Sequence, residues 1–523
     1  SITAGDKILD GTASELANIT GQSNLAVLSM SAAQVGEFRP QNSRQQLVLD
    51  GLTGGTFTMM VLVDGRAFET GDIDFDATDA EIRAALLAAS YLDPLTDETS
   101  TLAEITADFV VATDSTTGVR SVTLDGVLGD RDMPLIQIDK TNLVGSTDAL
   151  AAVQATLLDE GSPNVADVNI SVGSLDNFNV TGDVYLRSAR ALTIDDLTAA
   201  GVFELDVEEG DLTLRGRQDV GRTRIGVEAA NLIQTTTGEL ITTNATTTRS
   251  ELRALNNLTL NRVQAVDGDL FVESITGSVL NQVGATNTAG DEALAVDSGR
   301  LTIVADQAIG TRFQGGALTV DATDIALLNA TQGGIFVNAT GDVATTTQID
   351  RIEAIAVDAD SVIQVVNGNV RIDTLLSADL ATVRAGGVVG QDAVTLGRTE
   401  AGGHLTVVAT QGNMTQLAGT RILADGNNAR TSLSAGGDIT LTETQNDFRI
   451  LEILDATNAT LVEEDVVSLD TSSIRGTATL TAGDAVDTLA NAAFVAGQDV
   501  VVTLQDGDLT FGGDSKIQAG RDA

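Results

Sequence analysis

The side chains that could do chemistry are carboxylates. In the run FELDVEEGD, Glu204, Asp206 and Glu208 alternate with Leu205 and Val207, so a strand there puts three acids on one face. Asp72, Asp74 and Asp76 repeat the alternation, and Glu463, Glu464 and Asp465 make a further acidic patch. Like charges on one face repel, and a hard divalent cation that takes oxygen ligands relieves the repulsion. Glu204, Asp206 and Glu208, and separately Asp72, Asp74 and Asp76, are therefore candidate calcium ligands. No EF-hand loop and no GGxGxDxUx nonapeptide accompanies them, so a solvated acidic face is the competing reading. Other chemistries are closed or thinly supported. Cysteine is absent and His404 is the only histidine, which excludes disulfides, thiolate sites and any Ser/His/Asp triad not built on His404. His404 stands at an outward position of GGHLTVV with no acid or nucleophile beside it, and no residue is assigned as catalytic.

The elements that must position these groups are read from composition and pattern. The 523 residues carry 29 Lys+Arg against 74 Asp+Glu, a net charge of −45, which argues against nucleic acid as a partner. With 42% hydrophobic residues and mean hydropathy +0.12 the chain can fold, and no apolar run is long enough to span a membrane as a helix. Its four prolines, Pro40, Pro94, Pro134 and Pro163, leave the last 360 residues without one. Proline has no N–H to give to a ladder, so its absence suits strands that are nearly all interior. In that stretch a glycine, often followed by Asp or Asn, repeatedly opens an alternating strand: GDLTLRG from Gly210, GDLFVES from Gly268, GNVRIDT from Gly368 and GDITLTE from Gly437. The spacings run from 17 to 39 residues, with 17 and 18 beside 34 and 35, as though some coils lack the glycine start. Each unit offers two inward apolar residues, too few to close a core alone, so the units must stack. Glycine, Asp and Asn at the corners are read as the residues of tight, positive-φ turns.

The expectation is an all-β protein: a right-handed parallel β-helix (β-solenoid), with coils of roughly 18 to 28 residues, about 13 to 20 of them at ~4.8 Å each. Aromatic residues are few, with 13 Phe, 2 Tyr and no Trp, as suits a narrow interior of Val, Ile, Leu and Ala, and the phenylalanines are read as core. The predicted domains are β-helix coils over 1–37, continuing a longer solenoid, an inserted α+β module over 38–160, and parallel β-helix over 161–523. Within the module, Thr78 and Glu81 have capping-box spacing and Ile82, Ala85, Leu86 and Ala89 fall on one helical face, with Asp93 and Pro94 as the stop. Strands on either side give a ββαββ order with the helix covering one sheet face.

The module's runs GTFTMMVLVDGRAF, FDATDAEIRAALLAAS and SVTLDGVLGDRDMPLIQID resemble a repeat of very large surface and secreted proteins of planctomycetes and other aquatic bacteria. The matching positions are 55–58, 75–78, 84–86 and 126–135, and an acidic loop at 93–107 departs from the pattern. The coil phrase LSAGGDITLTET is similar to the filamentous-haemagglutinin-like β-helices of bacterial exoproteins. These resemblances imply an extracellular, non-catalytic structural protein of a bacterial surface: a filament, a coat or an adhesin stalk. They imply self-association into a filament or sheet, and contact with a glycan or neighbouring surface protein through the 38–160 module, without membrane insertion. The alternatives are a carbohydrate-active β-helix enzyme, a polysaccharide lyase or glycosidase, and a glycan-binding adhesin.

Overall fold

The computed structural model describes residues 2–3, 7–8, 19–20, 27–28, 30–32, 34–35, 43–49, 52–63, 66–92, 99–103, 107–113, 120–126, 128, 136–140, 142–145, 153–159 and 168–520. The last range excludes 244–248, 283–291, 314–315, 341–345, 355, 357–358, 387–391 and 427. All four prolines and most of the acidic loop at 93–107 lie outside the described residues. The chain divides into two compact units: Ser1–Ile8, Leu16–Val35 and Val168–Ala523 form one, and Leu9–Glu15 with Gly36–Asp167 form the other.

The first unit is a parallel β-solenoid of about 15 turns. Alternation decides which side chains enter it, because successive residues of a strand face opposite ways. Along one sheet Leu186, Leu205, Ile225, Leu252, Val272 and Ile303 stack in register, and along another Leu192, Leu212, Leu232, Leu258 and Val279 do the same. All are buried. Coils take between 18 and 31 residues. The irregular glycine spacing has two causes: a coil without the glycine start, since Ile439 pairs with Ala459 and Ala459 with Ala478 between Gly437 and Gly476, and a change of ladder. The motif moves between sheets: the strand after Gly268, Leu270–Ser274, lies in one ladder, whereas that after Gly316, Leu318–Ala322, lies in another. Where the ladder changes, the spacing measures a coil plus or minus part of a coil.

The Asp or Asn after the glycine does more than turn the chain. Asp211 Oδ1 accepts the Asn231 N–H (3.0 Å) and its amide (2.8 Å), Asn231 Oδ1 accepts the Asn257 N–H (3.0 Å), and Asn257 Oδ1 accepts the Ser278 N–H (2.8 Å). A second ladder runs Asn413, Asp438, Asn458, Thr477, with side-chain oxygens 2.9, 3.1 and 2.9 Å from the next coil's N–H. Each side chain satisfies a corner N–H that has no strand partner. The glycine makes room for it: a Cβ on Gly437 would stand 2.1 Å from Asn413 Oδ1. Positive φ is found at Gly210, Gly268, Gly299, Gly368 and Gly507, but Gly437 is not among them, so close approach is what selects glycine there.

The solenoid unit is interrupted after Val35 and resumes at Val168. Strand Val184–Ser188 pairs through Val184 with Val35, and through Leu186 to Ser188 with Val168 to Ile170. The chain leaves at Val35 and returns at Val168 to adjacent positions beside the same strand.

The second unit holds a seven-stranded and a four-stranded sheet, antiparallel in their pairings, around a separate core that includes Phe57, Met59, Phe68, Ile82, Leu86 and Phe109. Its helix is Asp79–Leu87, opened by the Thr78 and Glu81 capping box, with Ile82 and Leu86 buried. It packs along Ala107–Thr113, where Arg83 Nε donates to Phe109 O (2.7 Å) and Asp79 accepts from the Thr113 N–H (2.8 Å). The expected ββαββ strands are present, but short strands join them: Arg66–Glu69, Ile73–Asp74, Ser90–Leu92, Thr99–Thr101, Leu143–Gly145 and Gln154–Asp159. The helix stops at Leu87, before the expected stop, because Ser90 pairs with Glu69 and the chain is already extended there. Among the described residues no helix is long and apolar enough to cross a membrane.

The corner ladder is open to test. Replacing Asn458 by Leu strips Thr477 N–H of its acceptor and Asp438 of a donor, at a cost of about 1 to 3 kcal/mol. Urea unfolding should show a lower midpoint, and an unchanged midpoint would remove the ladder from the stability account.

Candidate functional site

Glu204 and Asp206 do take the face opposite Phe203, Leu205 and Val207, which are wholly buried. The face is not a solvated one at Glu204, however, which is only 3% exposed. Parallel register sets what it meets. Glu204 lies beside Tyr185 in one neighbouring coil and Arg224 in the other, and Arg224 lies beside Glu251 in the next. Arg187 stands beside Asp206 and pairs with Glu208 at 2.7 Å, and farther along Arg253 binds Glu273 at 2.6 Å. Opposite charges thus alternate from coil to coil, the sheet version of a favourable cross-strand pair. Arginine relieves the acidic repulsion that a cation had been expected to relieve.

Two outward aromatics complete the patch. Tyr185 and Phe271 are buried although their neighbours Leu186, Leu270 and Val272 fill the interior. Phe271 lies under Arg249, whose guanidinium stands 4.4 Å from the ring centroid, and Arg249 also holds Glu251 at 2.9 Å. Reading every Phe as core misplaced Phe271. The signal was in the sequence: in GDLFVES it occupies a polar slot of the alternation. Phe313, 85% exposed, is another phenylalanine outside the core.

Burial pushes the Glu204 carboxyl up to about 7, against the pull of Arg224, and its Oε1 has no hydrogen-bond partner. Asp206 is also raised by burial, with Arg224 and Arg187 opposing. Among the described residues, no three His, Cys, Asp or Glu side chains converge as a metal would require. Asp72, Asp74 and Asp76 are exposed around the short strand Ile73–Asp74 and are likewise not gathered.

The remaining candidates serve the stack. His404 is exposed, and its Nδ1 accepts the Arg430 N–H of the next coil at 3.0 Å. A hollow of about 270 Å³ is lined by Leu376, Ala378, Glu400, Gly402, Leu423 and Asp425. Burial raises the Glu400 carboxyl, but Arg398 (2.8 Å) and Arg421 (2.7 Å) outweigh it and hold it below the usual range. A general acid needs the opposite shift. Glu463, expected in a surface patch, instead faces the interior in line with Ala459 and Leu461 and is 1% exposed.

Comparison with known proteins adds one likeness. A family described as repeats of unknown function (DUF5649) matches residues 381–451, which run from strand Ala381–Ala385 to Leu451 and include the Asn413 to Asp438 rung. No curated protein and no solved structure matches the chain.

The raised carboxyl at Glu204 carries a pH dependence. Its folded value lies above the ordinary 4.5, so its contribution is fully present in acid and is lost as pH rises through about 7. Glu204→Gln should therefore stabilise the protein at about pH 8.5, by on the order of 2 to 3 kcal/mol, and leave it nearly unchanged at about pH 4. Urea midpoints at the two pH values decide this, and equal effects at both would contradict it.

Proposed function

We propose that the chain is part of an extracellular structural protein of a bacterial surface, working as a filament, coat or adhesin stalk without catalysis. The observation that carries the reading is where the chemistry-bearing side chains go. Asp and Asn cap corners, arginines and carboxylates cross-link neighbouring coils, and the lone histidine accepts a backbone N–H. These are devices for holding coils together, repeated along a solenoid, and the matched repeat family lies within them. A repetitive scaffold whose units contact only their neighbours transmits load and spans distance.

The same reading includes self-association. The 38–160 module, which lies in a unit with a core and sheets of its own, is the part proposed to contact a glycan or a neighbouring surface protein.

Negative-stain imaging of the purified chain tests this. Fibres or sheets should form, and should increase from low salt to roughly 0.5 M as screening quiets the repulsion between acidic molecules. Because arginines balance the acidic columns, assembly should survive a calcium chelator. Monodisperse particles at every salt concentration would overturn self-association, and cleavage of a polysaccharide by the same preparation would overturn the non-catalytic reading.

A further inference from the structure

Glu463 is the interior acid that the stacking devices leave unexplained. Strand Ala459–Glu463 places Ala459, Leu461 and Glu463 inward, and in the next coil the position beside Glu463 is Ala482. A carboxyl therefore stands where its neighbour has a methyl group. Oε2 accepts the Phe448 N–H at 2.9 Å, and Oε1 is buried with no hydrogen-bond partner. The charged groups that act on it are Asp447, on the corner that packs against it, and Asp465, two residues along its own chain, both acidic. Arg449, the nearby cation of the corner, is engaged with Asp447 (3.3 Å) and Asp425 (3.5 Å). Glu204, by contrast, is faced by Arg224 and Arg222.

The corner it holds is a tight one. Arg449 has φ 56, in the left-handed region that non-glycine residues rarely adopt. Phe448 is wholly buried and pinned at both ends of its peptide unit, since Thr431 Oγ1 donates to its carbonyl at 3.0 Å while Glu463 takes its N–H. Next to it the buried Asn446 exchanges hydrogen bonds with Gln416 (2.7 and 3.0 Å) and donates to Val462 O (3.2 Å). Glu464 N–H to Asn446 O (2.7 Å), Ser468 N–H to Arg449 O (2.8 Å) and Asp447 N–H to Ile422 O (2.8 Å) tie the corner to the coils on either side.

We propose that Glu463 is a proton-operated latch for the corner 446–449: neutral, it keeps Phe448 seated in the solenoid, and on losing its proton to solvent it frees the corner and loosens these coils. An ionised carboxylate here has the backbone N–H groups of Phe448 and Asp465 to set against burial, an unpaired Oε1 and two like charges, and it gains water only by moving out of the interior. Burial, aided by Asp447 and Asp465, raises its carboxyl to about 8 from the ordinary 4.5. The latch is thus fully closed in acid, weakens as pH rises above the ordinary 4.5 and is fully released once pH passes about 8.

Amide hydrogen exchange on the full chain, corrected for the intrinsic effect of pH, reads the corner directly. Peptides covering 444–468 should lose protection by up to about tenfold per pH unit between the ordinary 4.5 and about 8 and level off above it, while peptides covering 361–385 stay constant. Glu463→Gln keeps the shape and cannot ionise, so its 444–468 peptides should stay protected at high pH. Asp465→Asn, an exposed change that removes one facing charge, lowers the Glu463 carboxyl, so the loss of protection should level off at lower pH and be smaller, and it guards against a Gln variant that folds poorly. Equal pH dependence in the wild type and Glu463→Gln, or no movement in Asp465→Asn, overturns the latch.

Discussion

A parallel solenoid has no difficulty with its strands, whose N–H groups find carbonyls in the next coil. Its difficulty is the corner, where the backbone turns away from the ladder and leaves donors with nothing to meet. Here that constraint is met by a side chain reaching along the axis: Asp211, Asn231 and Asn257 on one edge, Asn413, Asp438 and Asn458 on another. Much else follows from that reach. Glycine is required where the oxygen crosses, as at Gly437 over Asn413. The corners fix the register, and register brings Leu205 over Ile225 inside and sets Arg224 between Glu204 and Glu251 outside.

Because each rung is local, the length of chain between rungs is free to vary. Coils of 19 and 31 residues coexist, and the chain can leave the ladder at Val35 and return beside it at Val168. The second unit then needs a core of its own, built on Phe57, Phe68 and Phe109.

The solenoid was legible because period-2 alternation and the Gly-Asx starts are direct traces of strand and corner. The helix at Asp79–Leu87 was legible too, since Thr78 and Glu81 form their capping box within four residues. What could not be read is what depends on register between coils of unequal length. From sequence, Glu204 is one acid in an acidic run; that Arg224 lies beside it follows only once the intervening residues are laid into a coil. Glu463 was misread for a related reason. In VEED it resembles a charged turn, and its place in the strand depends on where that strand begins, which Ala459 over Ala478 decides. The short strands of the second unit, two to six residues long, have too few residues for alternation to show.

Stability in this solenoid is a sum of neighbour-to-neighbour contacts rather than one cooperative core. Pulling single molecules by their ends tests it most directly. Coils held rung by rung should peel in succession, with length increments of ~63 to 110 Å for coils of 18 to 31 residues at ~3.5 Å per residue. Release of the whole solenoid in a single step would contradict it.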